Sequence, residues 1–159
     1  YRGVLYAGLM LTAEGPKLIE YNVRFGDPET QVVVPRLSSD LAELLAQAAA
    51  GRIVDAPTFV DDAMVTVVCA AEGYPASPRK GDVISGIDEA AALDGVDVFC
   101  AGVTTSDGSL ATNGGRVLNV CGTGATIAAA RARAYEGVGR IGWDGMFTRS
   151  DIAEAAAQS

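Results

Sequence analysis

The 159-residue sequence has no histidine, three cysteines and only two lysines, Lys17 and Lys80. Without histidine the chain cannot assemble a Ser-His-Asp or Cys-His catalytic set, nor a His-ligated metal. Cys69, Cys100 and Cys121 are widely spaced, form no C-x-x-C pair and sit in apolar contexts (VVCAA, VFCAG, NVCGT). That argues against a zinc cluster or a disulfide framework and predicts three buried, reduced thiols. Any metal must then be held by oxygen ligands. A basic patch is missing too: twelve Lys and Arg face twenty Asp and Glu, for a net charge of −8. A chain that neutralised nucleic-acid phosphates would need the opposite balance, so no nucleic-acid partner is expected. No apolar run approaches the roughly 20 residues of a membrane span, and there is no internal repeat, heptad or low-complexity tract. The opening YRGVLYAGLMLT lacks the charged-then-apolar order of a signal peptide and does not begin with Met. The expectation is a segment from inside a longer, cytoplasmic protein.

What remains is a globular composition, 49% apolar, long enough for one domain or two small ones. Val4 to Thr12 reads as an apolar strand, the Gly-Pro of AEGPK as a turn, and Leu18 to Phe25 as a second strand of a hairpin. ETQVVVPRLSS suggests a short helix interrupted near Pro35. Ser39 or Asp40 then caps LAELLAQAAAG, with Gly51 as the stop. RIVDAPTFVDD, polar and without periodicity, marks the predicted boundary, giving domains over 1–60 and 61–159. The second half reads as a strand over 64–71, the loop EGYPASPRKGD, short strands near Val83–Ile87, Val96–Val103 and Arg116–Val120, and a small helix over Asp88–Leu93. A helix over 126–138 and a last one from Ser150–Asp151 complete it. This order predicts an α+β fold with a mostly antiparallel sheet.

One stretch, KLIEYNVRFGDPETQ, carries the chemistry. Successive strand side chains alternate between faces, so Glu20, Asn22 and Arg24 are predicted to share one face and Ile19, Tyr21, Val23 and Phe25 the buried other. A carboxylate and an amide oxygen two residues apart can meet one hard cation such as Mg²⁺, which is commonly held by one or two side chains plus substrate phosphates. Arg24 would add a fixed fork of donors suited to phosphate. The set suits phosphoryl transfer, where catalysis is mostly positioning and charge neutralisation. By spacing alone, a solvated strand face with acid, amide and base in a row is the commoner reading.

The continuation RFGDPETQ resembles the signature of the phosphoribosylamine–glycine ligase family (glycinamide ribonucleotide synthetases), members of the ATP-grasp superfamily. YRGVLYAGLMLT, SDLAELL, AEGYPASPRKGD, TNGGRVLNV, the helix ending RAYEGV and the closing WDGMFTRSDI are similar to the family in the same order, over nearly the whole chain. Biotin-type carboxylases share E-x-N-x-R but not this continuation. The resemblance implies a fold made of the end of an ATP-grasp domain over 1–60, with a linker helix, and a small C-terminal α+β domain over 61–159. It implies a ligase that uses ATP to join 5-phosphoribosylamine and glycine through a glycyl phosphate intermediate. Glu20 and Asn22 match the acid and amide that bind Mg²⁺ (or Mn²⁺) under the ATP phosphates. Arg24 matches the arginine that stabilises the transferring group, the candidate catalytic residue. Asp27 and Glu29 become candidates to orient the amine or ribose, although a turn in which Asp caps backbone amides explains them too. Asn113, Gly114, Gly115 and Arg116 are similar to the pocket for the ribose 5-phosphate; a hairpin turn is the alternative. CGTGATIAAA reads as a strand-to-helix turn, lacking the third glycine and the βαβ context of a dinucleotide site.

The family's ATP-grasp lysines and phosphate-covering loop have no counterpart here. The expectation is a C-terminal third, inactive by itself. Cys100 stands where the family commonly has histidine, and SPRKGD and LNVCGTG match more loosely. The contrasting possibility is a non-catalytic ATP-grasp remnant or a small-molecule-binding module centred on NGGR and CGTGAT.

Overall fold

Tyr6–Thr12 and Gly15–Asn22 form strands β1 and β2 of an antiparallel hairpin closed by Ala13 and Glu14, with Thr12 opposite Gly15 and Tyr6 opposite Asn22. The computed structural model describes residues 1–158; Ser159, the last residue of the predicted second domain, lies outside them. Gly15 and Pro16 open β2 rather than making the turn, and a register shift between Gly8 and Leu9 bends β1. The chain divides into two compact units, Tyr1–Val60 and the segment from Asp61 onward.

In the first unit the hairpin is followed by α1 (Thr30–Val33) and α2 (Leu41–Ala49). Asp40 caps α2 by accepting from the Glu43 amide at 3.0 Å. Gly51 ends that helix region with φ +76, a conformation other residues resist. Gly26 is this unit's one buried residue. The side of β2 predicted to be buried is open instead: Ile19, Tyr21 and Val23 are 63%, 60% and 67% exposed. Two strands have no third layer to bury against, and nothing within this unit covers that face. An apolar cavity of about 210 Å³ lies among Val4, Phe25, Val33, Leu37, Leu44 and Phe59.

The second unit has its own core. β3 (Ala63–Ala70) and β4 (Val96–Cys100) flank the long central strand β7 (Arg116–Gly124), antiparallel on both sides. α4 (Ile127–Val138) lies on one face, started by Thr126, whose hydroxyl accepts from the Ala129 amide at 3.1 Å. Val65, Val67, Val96, Leu118, Val120, Ala130 and Ala134 fill the interior. Gly122 lets helix and strand meet: a Cβ there would overlap the Ala130 carbonyl and the Ala134 amide. Glycine in CGTG is therefore strand, not turn, and β7 runs four residues past the predicted Val120.

Other boundaries shift as well. The predicted strand over Val96–Val103 is two strands, β4 and β5 (Val103–Ser106), and β5 pairs with an unforeseen β6 (Ser109–Thr112). Val83–Ile87 makes only isolated bridges, from Val83 to Ala111 and Ser85 to Gly142. The helix α3 covers Ile87–Ala91. The terminal segment is turns and a short 3₁₀ stretch, Ala156–Gln158. Cys69 and Cys121 are buried as predicted, but Cys100 is exposed at the end of edge strand β4. No helix among the described residues is long and apolar enough to cross a membrane.

Candidate functional site

Glu20 and Asn22 lie two residues apart on β2 and share a face, as their spacing requires. Asn22 donates its side-chain N–H to Glu20 Oε1 at 2.9 Å. The amide nitrogen is thereby used on the neighbouring acid, which leaves the amide oxygen and the second carboxylate oxygen as acceptors on one face. Both are hard ligands, and the donor set fits Mg²⁺ or Mn²⁺ completed by phosphate oxygens. Among the described residues no group of three or more His, Cys, Asp or Glu side chains gathers to hold a metal ion, at this face or any other. Across the ladder, Gly8 stands opposite Glu20 and Tyr6 opposite Asn22, so this face also carries the Tyr6 ring.

Arg24 does not continue the row. β2 ends at Asn22, and Arg24 sits in the following bend, its guanidinium donating to the Phe25 carbonyl at 2.8 Å. The ladder stops because β1 begins only at Tyr6, the partner of Asn22; residue 24 has no strand opposite it.

The loop after the strand is tightly organised. The Gly26 carbonyl accepts from the Thr30 amide at 3.1 Å and from the Thr30 hydroxyl. The Glu29 side chain folds back over Gly26, where a Cβ would overlap its carboxylate. Asp27 accepts from Gln31 at 3.1 Å. Glu29 occupies the N-cap position of α1 yet makes no side-chain cap bond. Its Oε1 instead accepts from the Tyr6 hydroxyl at 3.2 Å. The negative charge of Glu29 is the main reason that the Tyr6 phenol titrates above its usual value, with burial, the hydrogen bond and Glu20 adding to it. Sequence reading missed Tyr6, since an aromatic opening an apolar strand looks like core.

In the second unit Asn113, Gly114 and Gly115 link β6 to β7, which are not paired with each other; the hairpin alternative therefore fails. The link is held by backbone: the Asn113 amide donates to the Gly102 carbonyl at 2.7 Å, and the Gly115 carbonyl accepts from the Ala71 amide at 2.9 Å. A Cβ on Gly115 would overlap the Tyr74 ring. The Asn113 amide is thus spent inside the fold, which narrows any anion-holding role to the rest of the link and to the half-buried Arg116. Beside it, Arg79 ties the loop EGYPASPRKGD together. It contacts Glu72 at 2.5 Å, Asp82 at 2.9 Å and Asp144 at 2.8 Å. Its already high pKa rises further, Asp82 contributing most. No sequence motif flagged that hub.

The α+β architecture recurs in the crystal structure of N5-carboxyaminoimidazole ribonucleotide synthetase from Thermotoga maritima, with a TM-score of 0.58 over 88% of this chain and 36% of that one. At 16% identity, that likeness is one of fold alone. Residues 64–155 match the family described as phosphoribosylglycinamide synthetase, C domain, and residues 1–30 match its ATP-grasp (A) domain. The chain belongs to the phosphoribosylglycinamide synthetase family. It is 50% identical to the phosphoribosylamine–glycine ligase of Brucella melitensis, over 99% of this chain and 37% of that protein. The corresponding ligase of Streptomyces coelicolor is 49% identical, over 99% of this chain and 39% of its own length. The crystal structure of the Thermotoga maritima ligase superposes with a TM-score of 0.79 at 40% identity, covering 94% of this chain and 36% of that one. The chain thus spans somewhat over a third of the length of these relatives.

Proposed function

We propose that this chain is the C-terminal part of a phosphoribosylamine–glycine ligase, which uses ATP to join 5-phosphoribosylamine and glycine through a glycyl phosphate intermediate. The observation that carries the reading is the Glu20–Asn22 pair, on a hairpin lying wholly within the residues matched to an ATP-grasp domain. Glu20 and Asn22 hold a divalent cation, Mg²⁺ or Mn²⁺, that neutralises phosphate charge during phosphoryl transfer. Arg24, freed from the strand ladder, supplies a fixed positive charge at the end of that face. Asp27 and Glu29 form the acidic loop that receives the amine or ribose of the substrate.

Asn113, Gly114, Gly115 and Arg116 form a separate candidate contact for the ribose 5-phosphate in the second unit. There Arg116 contributes the charge and the glycines allow close approach of backbone. In this reading residues 1–60 close an ATP-grasp domain and residues 61–159 are the ligase's C-terminal domain. The protein acts in the cytoplasm.

The test compares the 159-residue chain with the full-length protein that contains it. ADP release that requires both glycine and phosphoribosylamine is expected from the full-length protein and not from the chain alone. A full-length protein that turns over neither substrate would overturn the reading.

A further inference from the structure

Tyr6 and Glu29 are joined in a way that the metal face does not require. Tyr6 opens β1 directly opposite Asn22, so its ring stands on the face that carries Glu20 and Asn22. Glu29 lies seven positions beyond Asn22, past a cis Asp27–Pro28 bond. An acid at a helix N-cap ordinarily satisfies a backbone amide of the first turn. Glu29 satisfies none, and its carboxylate turns back to the Tyr6 hydroxyl, 3.2 Å away. Gly26 leaves the room for that turn. Among the described residues, no cation pairs with Glu29. Its one polar side-chain partner is a neutral phenol, which orients a carboxylate without cancelling its charge. An oriented anion with no cation of its own, at the edge of a metal-phosphate face, is built to take an ammonium or amine group from outside.

We infer that Tyr6 is a positioning residue: it fixes the Glu29 carboxylate as the acceptor for the amine-bearing substrate. The inference rests on the ligase reading above. Asn22 and Glu20 then serve the nucleotide, while the Tyr6–Glu29 pair serves the amine, both from one two-stranded hairpin and the loop that follows it.

The experiment uses the full-length ligase with Tyr6→Phe, which keeps the ring and removes only the hydroxyl. The expected result is a rise of about 10-fold in KM for glycine or for phosphoribosylamine, the scale of a hydrogen bond to a charged group. Both kcat and KM for ATP should stay within about 2-fold, a split that general loss of structure does not produce. Glu29→Gln should raise the same KM, and adding Tyr6→Phe to it should cost nothing more, because the two residues act as one unit. Unchanged KM values, a fall in kcat alone, or additive effects of the two substitutions would overturn the role of Tyr6 and leave the ligase reading standing. A wild-type enzyme inactive with both substrates would instead sink the ligase reading, and the role of Tyr6 with it.

Discussion

Gly122 of β7 lies directly beneath Ala134 of α4, with no space between them for a single carbon atom. The contact sets the distance between helix and sheet in the second unit, and Gly137 repeats it against Val120 and Val96. Gly122→Val should therefore push α4 off the sheet and destabilise this unit by roughly 1–3 kcal/mol, the usual cost of overpacking. Trp143 is the one tryptophan in the sequence and packs against this core. Its fluorescence in a urea titration reports this unit alone. A midpoint equal to that of the wild type would contradict the packing account.

The two units should differ sharply in independence. The described residues from Asp61 onward enclose a continuous apolar core, whereas the first unit buries only Gly26 and exposes Leu9, Leu11, Leu18 and Ile19. Expressed separately, 61–159 should unfold cooperatively, and 1–60 should exchange its amide hydrogens within seconds to minutes and self-associate through its open strand faces. Slow exchange in isolated 1–60 would show that the hairpin needs no further cover.

Cysteine chemistry separates along the same structural lines. Burial pushes the Cys69 thiol up to about 12 and the Cys121 thiol up to about 11, while Cys100 is exposed. In the segment 61–159 at pH 8, iodoacetamide should modify Cys100 in minutes and leave Cys69 and Cys121 intact until the fold opens, as peptide mapping by mass spectrometry would read. The linkage has a definite sign. The folded state holds these protons more tightly than the unfolded chain does, so stability is level below an unfolded thiol value near 9.0 and falls as pH climbs towards 11 and 12. Early labelling of Cys121 would contradict the burial account.

The elements most legible in the sequence were those whose local chemistry and tertiary role agree. Asp40 before LAELL places a side-chain oxygen on a first-turn amide and caps as such spacing demands, and the helix expected over 126–138 forms over Ile127–Val138. Glu20 and Asn22 fell on one face because side chains alternate along any extended, pleated strand. The misreadings have physical causes. Arg24 continued the alternation in sequence, but a ladder needs a partner strand and β1 starts too late to supply one. CGTG looked like a turn because glycine usually marks one; here a helix pressing on the strand demands residues without side chains. Cys100 had the apolar neighbours of a core residue, yet it ends an edge strand. Nothing local could show that Glu29 would leave its cap position for a hydroxyl twenty-three residues earlier.

The Glu20–Asn22 pair as a divalent-metal site under nucleotide phosphates is the claim on which the functional account turns. It is tested most directly by Asn22→Leu in the full-length protein that contains this chain, with ADP release followed across a Mg²⁺ titration. Leu removes the amide oxygen while keeping a side chain of similar size on a half-exposed strand position. The account predicts a loss of at least about 100-fold in turnover, with saturation only at higher Mg²⁺ and an unchanged circular dichroism spectrum. Near-normal turnover with the wild-type Mg²⁺ dependence would contradict it.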